Sequence, residues 1–143
     1  MTRPDLPLRP GDATAFAKTV SESDVYLFAG ITGDLSPNHV DEAFMAGTPY
    51  GRRIAHGALL VGYMSNCSTQ LCARIETPGE FAVSAGYDRI RFIKPVFLGD
   101  SIRIDYVVRE VDNERRRSYA DVTVTARGEV CAVAVHILAW IPV

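Results

Sequence analysis

One apolar segment, residues 54–75, limits the possible folds more than any other part of this 143-residue sequence. The segment reads IAHGALLVGYMSNCSTQLCARI and predicts a long helix. Its apolar residues surround the helix axis instead of forming one stripe: Ala58, Leu59, Leu60, Val61, Tyr63 and Met64. A helix of this kind is buried on most of its sides. Four residues are small enough to let a sheet approach closely: Gly57, Ala58, Gly62 and Ser65.

The sequence after this helix changes to a period of two, which predicts β-strands. Apolar and polar residues alternate over residues 89–92, 102–109 and 121–125, and the last strand, residues 130–141, is apolar on both faces. A shorter alternating stretch predicts a first strand over residues 13–20. Turn sequences at residues 99–100, 112–113 and 128–129 favour antiparallel pairing of consecutive strands.

Shorter helices are predicted between the first strand and the apolar segment. Ser21 and Asp24 have the spacing of a capping box, and Gly33 is suited to end the helix that they begin. A brief helix is predicted over residues 41–46, ended by Gly47.

This order of elements predicts an α+β fold in which an antiparallel sheet wraps around a central buried helix, the hot-dog architecture. The length allows a single domain over residues 1–143. One such unit leaves a sheet edge and one flank of the helix open. We therefore expect a homodimer with a continuous sheet, or a dimer of dimers.

Composition argues against several classes of partner. A formal net charge of -2 gives no general attraction to nucleic acid or to anionic lipid, so neither is expected as a partner. No stretch approaches the roughly 20 apolar residues of a membrane span, and the N-terminus does not resemble a signal peptide. The three cysteines form neither a disulfide framework nor a zinc pattern, which indicates a reducing, cytoplasmic environment.

The loop before the apolar segment carries a carboxylate and an imidazole, Asp34 and His39. Pro37 disfavours helical geometry at the residue that precedes it, so residues 34–39 are predicted to form a tight loop. Five helical steps would separate the two side chains by about 140° around an axis, whereas a loop can aim both at one point.

Three blocks resemble, in this order, the MaoC-like hydratases, the (R)-specific enoyl-CoA hydratase family: GDLSPNH at 33–39, YGRRIAHGALL at 50–60 and RFIKPVFLGDSI at 91–102. The combination is far more specific than any single block. The resemblance implies a lyase of fatty acid metabolism that reversibly hydrates a trans-2-enoyl-CoA to the (R)-3-hydroxyacyl-CoA. Coenzyme A would be part of the substrate, and no separate cofactor is implied.

The resemblance also assigns roles to four residues. Asp34 and His39 would be the catalytic pair, and the backbone N–H of Gly57 would hold the thioester carbonyl as an oxyanion site. Ser65 would lie near the pair and contact the substrate. The sequence departs from the family pattern at Ser36, where the family usually has asparagine, and this weakens any inference about substrate preference.

The proposed chemistry also follows from the residue types. Hydration of an enoyl thioester needs a polarised carbonyl, a base for water and an acid for the α-carbon, and Asp34 and His39 can supply the proton transfers. The sequence leaves open which of the two is acid and which is base. A hot-dog acyl-CoA thioesterase is a rival, but no acidic residue occurs between Glu42 and Glu76. A non-catalytic acyl-CoA-binding subunit is a second rival, although such a subunit has no chemical need for the pair.

Other polar residues near these blocks are given lesser roles. His56 is expected to structure the entrance of the long helix, and His136 to lie in the core or an interface. No metal site is predicted, because neither HExxH nor paired-cysteine spacing occurs. Candidate contacts for the phosphates of coenzyme A are Arg52, Arg53, Arg91 and Lys94.

Overall fold

A computed structural model describes residues 3–143 of the chain as five strands and four helices. The elements in order are β1 (Ala13–Thr19), α1 (Glu22–Thr32), α2 (Pro37–Val40), α3 (Glu42–Ala46), α4 (Gly57–Cys72), β2 (Glu80–Phe92), β3 (Ser101–Asp112), β4 (Arg117–Ala126) and β5 (Glu129–Pro142). Every element predicted from the sequence is present. The boundaries differ mainly at α4, which is shorter than its apolar segment, and at β2, which begins earlier.

The strands form one antiparallel sheet in the order β1-β3-β4-β5-β2. Consecutive pairing is confirmed for β3, β4 and β5, but it is wrong for β2, which pairs with β5 instead of β3. The connection from β2 to β3 explains the difference. Along it, the carbonyl of Val96 accepts from the N–H of Ala55, and the N–H of Gly99 donates to Val20. The connection therefore crosses the end of the sheet instead of folding back as a hairpin.

The core lies between α4 and the sheet. The buried face of α4 is apolar apart from Ser68, and it carries Leu59, Leu60, Met64, Cys67 and Leu71. Alternate residues of β3 point toward it, namely Ile102, Ile104, Tyr106 and Val108. Burial of each such aliphatic side chain contributes roughly 1.5 to 3 kcal/mol. The prediction of an α+β hot-dog fold, with the sheet wrapped around a buried helix, is confirmed.

One flank of α4 remains exposed in the single chain. Ala58, Gly62, Ser65 and Thr69 recur at helical spacing along it and are accessible to solvent. A Cβ atom added at Gly62 would meet nothing within 4 Å, so the sheet does not approach this flank within the chain. Among the small residues, close approach of the sheet is seen at Gly57, where a Cβ atom would lie 2.5 Å from the ring of Phe92 in β2, but not at Gly62. No helix among residues 3–143 combines the length and apolarity needed to cross a bilayer.

Candidate active site

The two ends of α1 fix the starting point of the site loop. At the N-terminus, the Ser21 side chain accepts from the N–H of Asp24, and the Asp24 side chain accepts from the N–H of Ser21. At the C-terminus, Gly33 adopts a left-handed conformation with φ of 79°, and its N–H donates to Ala29 at 2.9 Å. A left-handed residue ends a helix sharply, so Asp34 leaves α1 in a defined direction.

His39 lies in the short helix α2, so the predicted loop is confirmed only for residues 34–36. Pro37 occupies the first position of this helix, where its missing N–H costs no hydrogen bond. The His39 side chain is buried, and its Nδ1 lies 2.7 Å from the carbonyl oxygen of Ile54. Because a carbonyl only accepts, Nδ1 carries the proton and Nε2 presents a lone pair.

Burial lowers the pKa of His39 below its usual 6.5. The hydrogen bond to Ile54 raises it, nearby His56 lowers it and the carboxylate of Asp34 raises it, all by less than burial. The net direction is downward, so the imidazole is neutral at pH 7.

Asp34, His39 and His56 form one group, which we call the site cluster. One carboxylate oxygen of Asp34 and one ring nitrogen of each histidine lie within 4.8 Å of one another. Asp34 is exposed, whereas both imidazoles are buried. At this separation one water molecule can donate hydrogen bonds to both the Asp34 carboxylate and the unprotonated nitrogen of His39.

His56, expected only to structure the entrance of α4, contacts both members of the pair. Its Nε2 donates to the backbone carbonyl of Asp34 at 2.9 Å, and its ring stacks on that of His39 with centroids 3.7 Å apart. Its position directly before Gly57 is the only sequence signal for these contacts. The two ring planes are inclined by only 25°.

Gly57 begins α4 and lines a cavity of about 310 Å³ together with His39. The cavity is also lined by Asn38, Tyr50, Leu60, Phe92 and Lys94. Within residues 3–143, no acceptor lies within hydrogen-bonding distance of the Gly57 N–H. A Cβ atom at this position would lie 2.5 Å from the ring of Phe92, so only glycine keeps both the ring and the N–H in place.

Ser65 does not join the pair within the single chain. It lies two turns further along α4, about 12 Å of helical rise from Gly57. There it lines a second cavity with Ser68, Thr69 and Ser84. The role of Ser65 in substrate binding stays a prediction.

The basic residues near the cavity differ in whether they form a salt bridge with a carboxylate. Arg53 pairs with Glu22 and Glu42, each at 2.5 Å, and these bonds raise its pKa further. Lys94 pairs with Glu129 at 2.7 Å. Arg52 has no carboxylate partner among residues 3–143, and its guanidinium stacks 4.0 Å above the ring of Phe97.

Comparison with known proteins identifies the family. The profile of the MaoC like domain matches residues 6–130, most of the chain. The chain belongs to the MaoC-like family. It is 35% identical over 123 residues to an (R)-specific enoyl-CoA hydratase of Rhodospirillum rubrum, with 86% of this chain and 81% of that protein covered. It is 38% identical over 123 residues to a 3-hydroxybutyryl-CoA dehydratase of Methylorubrum extorquens, with 86% and 74% covered.

A solved structure agrees with this membership. An (R)-hydratase from A. caviae involved in PHA biosynthesis superposes on this MaoC-like chain with a TM-score of 0.82 and 25% identity. The superposition covers 93% of this chain and 97% of that one. The prediction of a hydratase or dehydratase enzyme is confirmed.

Proposed function

We propose that this MaoC-like protein reversibly adds water to a trans-2-enoyl-CoA and forms the (R)-3-hydroxyacyl-CoA. The observation that carries the proposal is the Asp34 carboxylate within 4.8 Å of the neutral imidazole of His39, which lines the same cavity as Gly57. The names of the two sequence relatives support the substrate class and, for one of them, the (R) configuration.

The pair acts as a base toward one water molecule. Because burial keeps His39 neutral at pH 7, the pair holds no spare proton for the α-carbon. The proton must come from the water itself. Its oxygen bonds to the β-carbon, one of its protons is taken by the pair and delivered to the α-carbon, and the other stays on the new hydroxyl group. The proton balance closes, and either residue can be the carrier.

The N–H of Gly57 stabilises the negative charge that forms during the reaction. When water adds to the β-carbon, negative charge develops on the thioester oxygen. The N–H of Gly57 is at the start of the 16-residue helix α4, where the unpaired N–H groups and the helix dipole favour an anion. Loss of one such donor typically lowers the rate by about 10²- to 10³-fold.

The two rival functions fit the site less well. The rival hot-dog thioesterase would place a carboxylate on the central helix, and α4 contains none. A binding-only subunit would not need a free lone pair on His39 opposite a carboxylate. Both rivals remain outcomes of the experiment below.

The carrier and the assembly are part of the proposal. Arg52 and Arg91 are available cations for a coenzyme A phosphate, because among residues 3–143 neither pairs with a carboxylate, whereas Arg53 and Lys94 do. The exposed flank of α4 and the outer edges of β1 and β2 suit a homodimer, since each leaves a surface that a second copy can cover.

The test is to incubate the purified protein with crotonyl-CoA and follow the absorbance of the conjugated thioester, with free thiol assayed in parallel. We expect the absorbance to fall without thiol release and the product to be (R)-3-hydroxybutyryl-CoA. Thiol release that tracks the absorbance would indicate a thioesterase. No change with crotonyl-CoA or with longer and branched enoyl-CoAs would leave a binding role.

A further inference from the structure

His56 is almost completely buried, with 1% of its surface exposed, although it belongs to the loop that precedes α4. Its Nε2–H donates to the backbone carbonyl of Asp34, 22 positions earlier in the chain. Asp34 itself is exposed, and its side chain makes only a long contact, at 3.4 Å, with the N–H of Ser36. The bond from His56 is therefore the firmest restraint on the backbone that carries the carboxylate.

The ring of His56 also restrains His39. One contact is the stack on the His39 imidazole, and another is a tilted packing against Phe28 of α1, with centroids 4.7 Å apart. His39 is thus held at its Nδ1 by Ile54 and across its ring by His56. The remaining atom, Nε2, is directed by these two restraints.

The unpaired nitrogen of His56 shows that its hydrogen bond matters. Nδ1 of His56 is buried and has no partner among residues 3–143, and an unsatisfied buried acceptor costs roughly 1 to 3 kcal/mol. Phenylalanine would fill the same space, stack on both neighbours and avoid that cost. The imidazole has one advantage over phenylalanine here, which is the N–H that it gives to Asp34.

We propose that His56 is a positioning residue that sets the distance and direction between the Asp34 carboxylate and the His39 Nε2, and this rests on the proposed function. One side chain couples the two halves of the pair, because its N–H fixes the first residue and its ring face fixes the second. His56 does not touch the reacting atoms. Its effect falls on turnover, since the pair must share one water in the transition state.

Two substitutions separate the two contacts. His56→Phe keeps a flat ring against His39 but removes the donor to Asp34. His56→Gln keeps an amide N–H that can reach the carbonyl but removes the ring. We expect His56→Phe to lower kcat by about 10- to 100-fold with KM changed by less than about twofold, the pattern of an interaction needed only in the transition state. His56→Gln should recover part of the lost kcat.

The matched control is His136→Gln, which alters the other fully buried histidine, in β5 and not among the residues that line the cavity. It should lower the melting temperature while kcat per folded molecule stays at the wild-type value. All variants are compared at a temperature where circular dichroism shows them folded. If His56→Phe does not fold, His56→Gln is used for the test instead. A kcat below the wild-type value at unchanged KM would then support the proposal.

Three results would overturn it. A folded His56→Phe variant with wild-type kcat would show that the donor bond is dispensable. A change confined to KM would mean that His56 shapes substrate binding instead of the pair. A wild-type protein inactive on every enoyl thioester would overturn the proposed function and this inference with it, whereas an active wild type with an unaffected variant overturns the inference alone.

Discussion

Two groups of polar side chains are built around buried histidines, and the two differ in one respect. In the site cluster, His39 has one ring nitrogen bonded to a carbonyl, and the other has no partner among residues 3–143. The second group, which we call the core cluster, consists of Ser84, Tyr106 and His136. There both nitrogens of His136 are engaged, Nε2 with Ser84 at 2.8 Å and Nδ1 with Tyr106 at 3.0 Å.

The difference separates a structural histidine from one suited to chemistry. Burial lowers the pKa of both imidazoles, to about 4 for His136. The core cluster has no ring nitrogen left to exchange a proton, and its imidazole is completely buried. In the site cluster the loop after α1 leaves Nε2 of His39 free beside a cavity. A low pKa alone therefore does not mark a site, whereas an unused lone pair next to a cavity does.

The largest loss of activity should come from a substitution in the site cluster. Asp34→Asn keeps the shape of the side chain but removes the negative charge that pairs with His39, so we expect hydration of crotonyl-CoA to fall by about 10²- to 10⁴-fold. The unfolding free energy should change by less than about 0.5 kcal/mol, since Asp34 is exposed. Steady-state kinetics and urea unfolding check both. Near wild-type turnover would contradict the assignment of the pair.

Gly57→Ala should have the next largest effect on activity. The added methyl group would collide with Phe92 and obstruct approach to the N–H, so we expect kcat/KM to fall by about 10- to 10²-fold. Gly30→Ala is the matched control, because a Cβ there meets nothing within 4 Å and Gly30 also lies within a helix. Equal rates for the two variants would remove Gly57 from the oxyanion site.

His136→Gln should produce the opposite pattern from Asp34→Asn. It disrupts bonds to Ser84 and Tyr106 in the core, so the unfolding free energy should fall by about 2 to 4 kcal/mol while turnover per folded molecule is unchanged. Denaturant titration with parallel rate measurements checks this. A loss of turnover without a loss of stability would mean that the core cluster takes part in the reaction.

The same variant should change how stability depends on pH. His136 binds a proton in the unfolded chain near pH 6.5 but in the folded protein only near pH 4, so stability falls as the pH decreases through that interval. At pH 4 the loss from this residue amounts to about 3 kcal/mol. His136→Gln should lack this part of the decline when unfolding is measured from pH 7 to pH 4. A parallel decline in both proteins would contradict the burial argument.

The pH dependence of the hydration rate should reflect protonation of His39 in the site cluster, not of His136. Neutral His39 is the form that accepts a proton, and its pKa is lowered by burial. The rate of crotonyl-CoA hydration should therefore fall to half of its maximum at a pH below 6.5, the value expected for a free imidazole. A pH profile of kcat/KM checks this. A rate that rises as the pH falls below 6.5 would mean that protonated His39 is the active form.

The smallest effect on the kinetics is expected from substitution of Arg52. Arg52→Met should raise KM for crotonyl-CoA by about 3- to 10-fold, as expected for one exposed ionic contact with a phosphate. It should leave the crotonyl thioester of N-acetylcysteamine, which has no phosphate, unaffected. Arg115→Met, at the exposed turn between β3 and β4, is the control. An equal change with both substrates would exclude a phosphate contact.

Local patterns in the sequence were enough to predict the elements and the ends of α1. The capping box at Ser21 and Asp24 and the left-handed Gly33 depend on neighbouring residues only, and both are confirmed. The pairing of β2 with β5 was not predictable in this way, because it depends on the path of the connection that follows β2. Turn signals indicate that the chain reverses, but they do not specify the strand that it joins.

The residues of the site could be predicted from the sequence, but the contacts between them could not. The blocks containing Asp34, His39 and Gly57 are distinctive in the sequence. The bond from His56 to Asp34 joins residues 22 positions apart through two loops and is visible only in the fold. The distance of Ser65 from the pair follows from the straight course of α4, which a motif in the sequence does not convey.

The most direct test measures hydration of crotonyl-CoA by the wild type, His39→Gln and His136→Gln side by side, each corrected for its folded fraction. The account predicts rapid loss of the conjugated thioester with the wild type and His136→Gln, without free thiol, and almost none with His39→Gln. Equal rates for wild type and His39→Gln, or loss of activity with His136→Gln alone, would contradict the claim that the free nitrogen of the site cluster performs the chemistry.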